Sequence, residues 1–237
     1  MDSLPQELID KIIDDVPQPN PQLSFFDLLS CSLVAKRWRR RSQQRFFEGI
    51  SVPSEDVLNR WWKNIPQDSD GIPSYVFVFK IEGVAAWDDP ALFGRVLKNL
   101  TSLKHLFIFR TRIPDELQDP ILRGEFGKEI ATLYLWSSSC ASATTMSMIL
   151  AFRNLTGLII GNHKNTSEEP LSTHLVIPQW GPLVLLRLGG DVDEVGKTLV
   201  KSRVISPLIS LDTHLDATGE LIALSSGVLA ELILSGE

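Results

Sequence analysis

From residue 50 onward, short apolar runs are separated by longer stretches of mixed character. The recurring run is an aliphatic or aromatic residue, any residue, then a second such residue, with Thr213 in that last place in the seventh run: Ile50-x-Val52, Phe79-x-Ile81, Leu106-x-Ile108, Leu133-x-Leu135, Leu158-x-Ile160, Leu186-x-Leu188, Leu211-x-Thr213 and Leu232-x-Leu234. Alternation with period two puts both outer residues on one face of a β-strand. The first positions are spaced 29, 27, 27, 25, 28, 25 and 21 residues apart, a period that marks stacked copies of one supersecondary unit. Residues 90–100, 144–154, 194–204 and 216–226 have helical character. Strands alternating with helices of about ten residues predict an α/β fold with a parallel sheet and helices on one side. Helix outside and strand inside gives a curved, right-handed coil. The alternative is a doubly wound α/β domain; the regular period and the lack of a Gly-rich turn favour the coil.

Six units carry another aliphatic residue three positions upstream: Leu103, Ile130, Leu155, Leu183, Leu208 and Leu229. The unit then reads L-x-x-L-x-L, which resembles the core of a leucine-rich repeat. The resemblance implies a leucine-rich-repeat-like solenoid over residues 50–237. Its units are degenerate: after Ile160 the usual Asn position holds His163, with Asn162 one place early. The last unit runs straight from its strand into Leu234-Ser235-Gly236-Glu237, without the polar cap that a terminal repeat needs. The expectation is a chain truncated there, or an edge covered by a partner.

Between the inward leucines, side chains face the other side of the sheet. These are Phe107 and Phe109, Tyr134 and Trp136, Ile159 and Arg187. Neighbouring strands lie about 5 Å apart, so these residues form a partly aromatic stripe. Aromatic residues and Arg are common interface anchors, which makes Phe107, Phe109, Tyr134, Trp136 and Arg187 the candidates for holding a target protein. The competing reading is local packing under a flanking loop.

The first 49 residues have a different rhythm. Ser3 can cap a helix, Pro5 suits its first turn, and Glu7 is a favourable acid there. Leu8, Ile9, Ile12, Ile13 and Val16 then form one apolar helical stripe. Pro17, Pro19 and Pro21 predict a stiff loop. A second helix is expected from Ser24-Phe25-Phe26-Asp27 through Leu33-Val34, and a third from Lys36-Arg37-Trp38-Arg39-Arg40-Arg41 to Phe46-Phe47. Three short helices bury too little surface to be stable alone, and Leu4, Phe25, Phe26 and Leu29 are more apolar surface than they can cover.

In order and spacing, Leu4-Pro5-x-Glu7-Leu8-Ile9, Asp27-Leu28-Leu29 and Ser32-Leu33-Val34-Ala35-Lys36-Arg37-Trp38 resemble an F-box. The style of the motif is similar to F-box receptors of mushroom-forming fungi. The resemblance implies docking on a Skp-type adaptor of a cullin-RING ubiquitin ligase, with Leu4, Pro5, Ile9, Leu28, Leu29, Val34 and Trp38 as contacts. Two departures bear on docking. The loop over residues 17–23 is long and proline-rich, and Phe46-Phe47 stands where many members carry Leu-Trp. An unrelated three-helix cap is the competing reading of the same residues.

Composition narrows the function classes. The 237 residues are 43% hydrophobic and 22% charged, a globular balance. A net charge of -6 is a poor global match for nucleic acid or anionic membrane, so the basic run at residues 36–41 must carry any such binding locally. A solvated face, or pairing with acidic adaptor residues, is the preferred reading of that run. No signal peptide or membrane span is recognisable, which points to the cytoplasm or nucleus. Cys31 and Cys140 form no CxxC pair, and sequons at Asn99, Asn154 and Asn165 have no secretory context. The four histidines lack metal-ligand spacing, Cys140 has no evident base, and no phosphate-binding Gly motif occurs. The sequence therefore predicts a non-catalytic substrate receptor without cofactors, holding an unknown protein target. The alternatives are a repeat scaffold outside any ligase and a basic-helix nucleic-acid binder.

Overall fold

In the computed structural model, residues 4–16, 21–65, 71–118, 121, 124, 126–166, 185–190, 210–213 and 231–233 are described. Ser3, the middle of the proline-rich loop, the expected helices at 194–204 and 216–226, the upstream Leu183, Leu208 and Leu229, and the terminal Leu234-Ser235-Gly236-Glu237 lie outside these residues.

Each recurring run lies on a strand, the last of them described only as far as Ile233. These are β1 (Gly49–Val52), β2 (Val78–Glu82), β3 (His105–Phe109) and β4 (Thr132–Trp136), followed, after the two-residue β5 (Ser139–Cys140), by β6 (Gly157–Asn165), β7 (Leu185–Gly190), β8 (Ser210–Thr213) and β9 (Glu231–Ile233). Apart from β5, which pairs with the far end of β6, they lie side by side in chain order, and every pairing is parallel. The fold is thus mixed α/β on a parallel sheet.

Register follows the sequence period. Ile50, Phe79, Leu106, Leu133, Leu158, Leu186, Leu211 and Leu232 stand opposite one another strand by strand. A second rank, two residues on, runs through Val52, Ile81, Ile108, Leu135 and Ile160. From Phe79 to Leu158 and from Ile81 to Ile160 these side chains are fully buried. Burial at about 1.5–3 kcal/mol per large apolar side chain makes these two ranks the main stabilising element and fixes the register.

Helices close the same core. α4 (Glu55–Asn64), after the three helices described below, buries Leu58 and packs Trp61 and Trp62. Its cap is Ser54, whose hydroxyl accepts from the Val57 amide. The sequence reading passed over this helix, although Ser54-Glu55-Asp56 is a cap followed by two acids. α5 (Pro90–Asn99) matches the expected 90–100 segment and buries Leu92, Phe93, Val96 and Leu97. α6 (Ser142–Ala151) starts two residues earlier and ends three residues earlier than 144–154. Between β3 and β4 the described residues include a 3-10 turn, Asp115–Leu117, and Ile113, Leu117, Ile121 and Phe126 fill that part of the core. Leu103, Ile130 and Leu155, the upstream residues of the repeat, are buried there too.

At the start of the chain are α1 (Gln6–Asp14), α2 (Pro21–Val34) and α3 (Lys36–Phe47). Three expectations change here. Pro5 is the N-cap of α1 and not part of its first turn. α2 begins at Pro21, so residues 21–23 are helical and the proline-rich connection is shorter than the sequence implied; Pro21 occupies a first-turn position that needs no amide hydrogen. The α1 stripe divides: Ile9 and Ile13 are fully buried, whereas Leu8 and Ile12 are 48% and 46% exposed. Ile9, Ile13 and Leu28 form a small core of their own, backed by Leu4, Val16, Trp38 and Phe46. α3 leads directly into β1. The Glu48 carbonyl between them accepts hydrogen bonds from the Phe77 and Val78 amides, both at 2.9 Å.

Candidate interaction surfaces

The basic run on α3 is partly internal stitching. Arg41 donates to both Asp14 carboxylate oxygens, from Nε at 2.8 Å and from Nη2 at 2.6 Å. Arg45 bridges Asp14 (3.6 Å) and Glu48 (2.5 Å). Arg37 donates to the Leu4 carbonyl, and the Gln6 amide donates to the Arg37 carbonyl. These contacts clamp the end of α1 and the segment before it onto α3. Lys36, Arg39 and Arg40 remain exposed on the outer side. Two clefts of about 490 and 500 Å³ border α3 and share Arg40, Arg41 and Gln44.

The seven adaptor-contact candidates occupy three kinds of position. Ile9 and Leu28 are covered by the chain's own helices, so in this conformation they shape the surface and do not form it. Leu4 and Trp38 are half-buried against that core. Pro5, Leu29 and Val34 are exposed, the last two at 42% and 56%. Sequence reasoning did not nominate Leu8, Ile12 or Leu33 as contacts, yet they are exposed as well, Leu33 at 75%. Helical position relative to Ile9, Ile13 and Leu28 is the signal that separates the two sets.

The second surface is the sheet face opposite the buried ranks. Register places Lys80, Phe107, Tyr134, Ile159 and Arg187 in one row, and Glu82, Phe109, Trp136 and Gly161 in the next. Phe107 and Phe109 are stacked at 6.4 Å with 8° between their planes. Tyr134 lies 5.7 Å from Phe107, 5.0 Å from Phe109 and 6.0 Å from Trp136. All four rings are half-buried. The indole of Trp136 lies over Gly161, where a Cβ would collide with it. Arg187 continues the row by backbone register; its side chain lies outside the described residues.

Charge collects at the β2 border of the rings. The Lys80 ammonium is 4.7 Å above the centre of the Phe109 ring and 2.9 Å from Glu82 Oε2. Arg110 donates to the other oxygen of Glu82. Lys80 foremost, and then Arg110, hold the Glu82 carboxyl below its ordinary pKa.

The groups with nucleophilic chemistry are placed differently. The Cys140 thiol is buried beside the Thr145 hydroxyl at 2.9 Å, and burial pushes its pKa up to about 12. A thiol so protonated is a poor nucleophile at neutral pH. Cys31 is half-buried and its pKa is also raised, by desolvation first and by Asp27 second. His105 is engaged with the Thr132 hydroxyl at 3.0 Å. Among the described residues, no group of three or more His, Cys, Asp or Glu is arranged to hold a metal, and no helix is long and apolar enough to cross a membrane. No family model matches the chain, and no curated protein does.

Proposed function

We propose that this chain is the substrate-recognition subunit of a Skp-cullin-F-box type ubiquitin ligase. Residues 1–49 act as the F-box and the sheet domain acts as a leucine-rich-repeat-like solenoid that holds a target protein. The observation that carries this reading is the ordered motif on three short helices that leave Leu29, Leu33 and Val34 exposed where α2 meets α3. Exposed leucines on a module whose described buried core is Ile9, Ile13 and Leu28 need a cover, and an apolar partner surface supplies one. The in-order parallel strands with helices on the buried side support the solenoid. The chain would contribute no bond-making step; bringing a target close to a charged ubiquitin carrier accelerates transfer by proximity.

Co-expression with a Skp-type adaptor tests the proposal. The intact chain is expected to co-purify with it in equal amounts. Leu33→Glu together with Val34→Glu should abolish co-purification while leaving the thermal transition in place, because both side chains are already exposed. An intact, folded chain that captures no adaptor would overturn the proposal. The same result would favour the second reading, a repeat scaffold whose helices cap the sheet edge, which is supported by the Glu48 carbonyl tying the end of α3 to the Phe77 and Val78 amides.

A further inference from the structure

We infer that the ring-paved sheet face binds an extended peptide in which an aromatic residue stands about three positions from an Asp or Glu. This deepens the receptor reading by naming the chemistry of the target.

The first reason concerns what the face can offer. β3 and β4 are paired on both sides, so their backbone groups are engaged in the ladder. A ligand on this face therefore cannot add a strand and must be read through side chains. Phe107, Phe109, Tyr134 and Trp136 supply nearly continuous ring surface, and Gly161 lets the indole lie down instead of standing up, which flattens the surface. A flat paved surface suits a ring packed edge-on or offset against it.

The second reason is charge. Lys80 and Arg110 share one carboxylate, Glu82. Among the described residues, two cations on one anion leave one positive charge unmatched beside the rings. Arg110 is 70% exposed, so a ligand carboxylate can reach it without opening the fold. That asymmetry favours an acid on the β2 side and a ring on the β4 side.

Geometry then sets the spacing. Glu82, Phe109 and Trp136 occupy successive strands. Two strand spacings are about 10 Å, which an extended chain crosses in about three residues. The ligand runs across the strands, not along them. Single-stranded nucleic acid also stacks on aromatic platforms, but its backbone needs a track of cations, and among the described side chains of this face Lys80 and Arg110 sit together at one border around Glu82, on a chain of net charge -6.

Fluorescence polarisation with the full chain and labelled designed peptides tests this without the adaptor, so its failure is distinct from failure of the ligase reading. The probes are a Gly/Ser peptide with Asp three positions before Trp, the same peptide with Lys replacing Asp, one with Ala replacing Trp, and a single-stranded RNA of equal length. The Asp–Trp peptide should bind at least tenfold tighter than either substituted peptide, and should weaken as salt rises. Tyr134→Ala should lower its affinity by a similar factor. Lys80→Glu, at a surface position, should reverse the preference towards the Lys peptide, which a merely unfolded variant would not do. Equal binding of the Asp and Lys peptides, tighter binding of the RNA, or an unchanged preference in Lys80→Glu overturns the inference.

Discussion

The indole of Trp136 occupies the space in which a side chain on Gly161 would begin. These two residues are register partners on β4 and β6, so the fit is a cross-strand one. Gly161→Ala should leave the fold in place, because Trp136 is half-buried and its ring can swing outward. The expected cost is about 1 kcal/mol of lost ring packing. Near-ultraviolet circular dichroism should change more than the midpoint of chemical denaturation, and affinity for the Asp–Trp peptide should fall. A large loss of stability with an unchanged aromatic signal would refute the account of this pair.

The buried ranks and the exposed face of the same strands should respond differently to truncation. Leu106 and Leu133 are fully buried and face each other across β3 and β4. Leu106→Ala or Leu133→Ala removes transfer energy and leaves a cavity, at about 2–5 kcal/mol each. Tyr134, next to Leu133 but on the opposite face and half-buried, should cost less than either leucine when changed to Ala. Urea denaturation of the three variants decides it; an equal loss at Tyr134 would mean that this face is part of the stabilising core.

The sheet was legible for a simple physical reason. Apolar positions two residues apart, repeated every 21 to 29 residues with Thr213 as an exception, satisfy both burial and register at once, so period and pairing coincide from Ile50 to Leu232. Ends of helices were less legible, because capping is decided by backbone geometry: Pro21 starts α2 where a loop was expected. On α1 the stripe was visible, but the four apolar positions Leu8, Ile9, Ile12 and Ile13 do not declare which two the neighbouring helices will cover. The roles of Arg41 and Arg45 were hidden for another reason. Their partner Asp14 lies on α1, 27 residues before Arg41, and sequence proximity carries no trace of it.

A repeated backbone feature was also invisible in the sequence. Gly83, Arg110, Ser137 and Asn162 follow the register-paired Glu82, Phe109, Trp136 and Gly161, and all four have positive φ, from 46° at Arg110 to 78° at Gly83. The Gly83, Arg110 and Ser137 amides donate to the carbonyls of Phe109, Trp136 and Gly161, so the turn is repeated as a ladder. Left-handed backbone costs a non-glycine residue roughly 1–2 kcal/mol. Ser137→Gly relieves that strain, offset in part by the greater freedom of glycine in the unfolded chain, and should stabilise by about 0.5–1 kcal/mol. Gly83→Ala should destabilise by about 1 kcal/mol. Differential scanning calorimetry should move the two midpoints in opposite directions; movement in the same direction would remove strain as the explanation.

The two cysteines give a test of burial through chemistry. A thiol-specific reagent at mildly alkaline pH should label half-buried Cys31 first and leave Cys140 protected, because the thiolate is the reactive form and Cys140 is held protonated. Labelling of Cys140 should follow global opening, accelerating with denaturant in step with the unfolding transition. The pH dependence has a definite sign. The folded pKa of Cys140 is raised from 9.0 to about 12. Below the lower value both states keep the proton and the thiol imposes no cost. Between the two values the unfolded chain releases its proton and the folded chain does not, so stability falls as pH rises. Cys140→Ala should flatten that alkaline decline while lowering stability only modestly at neutral pH, since the thiol is small and its Thr145 partner can still donate to the Ala141 carbonyl. An alkaline decline of equal steepness in Cys140→Ala would assign it to other groups.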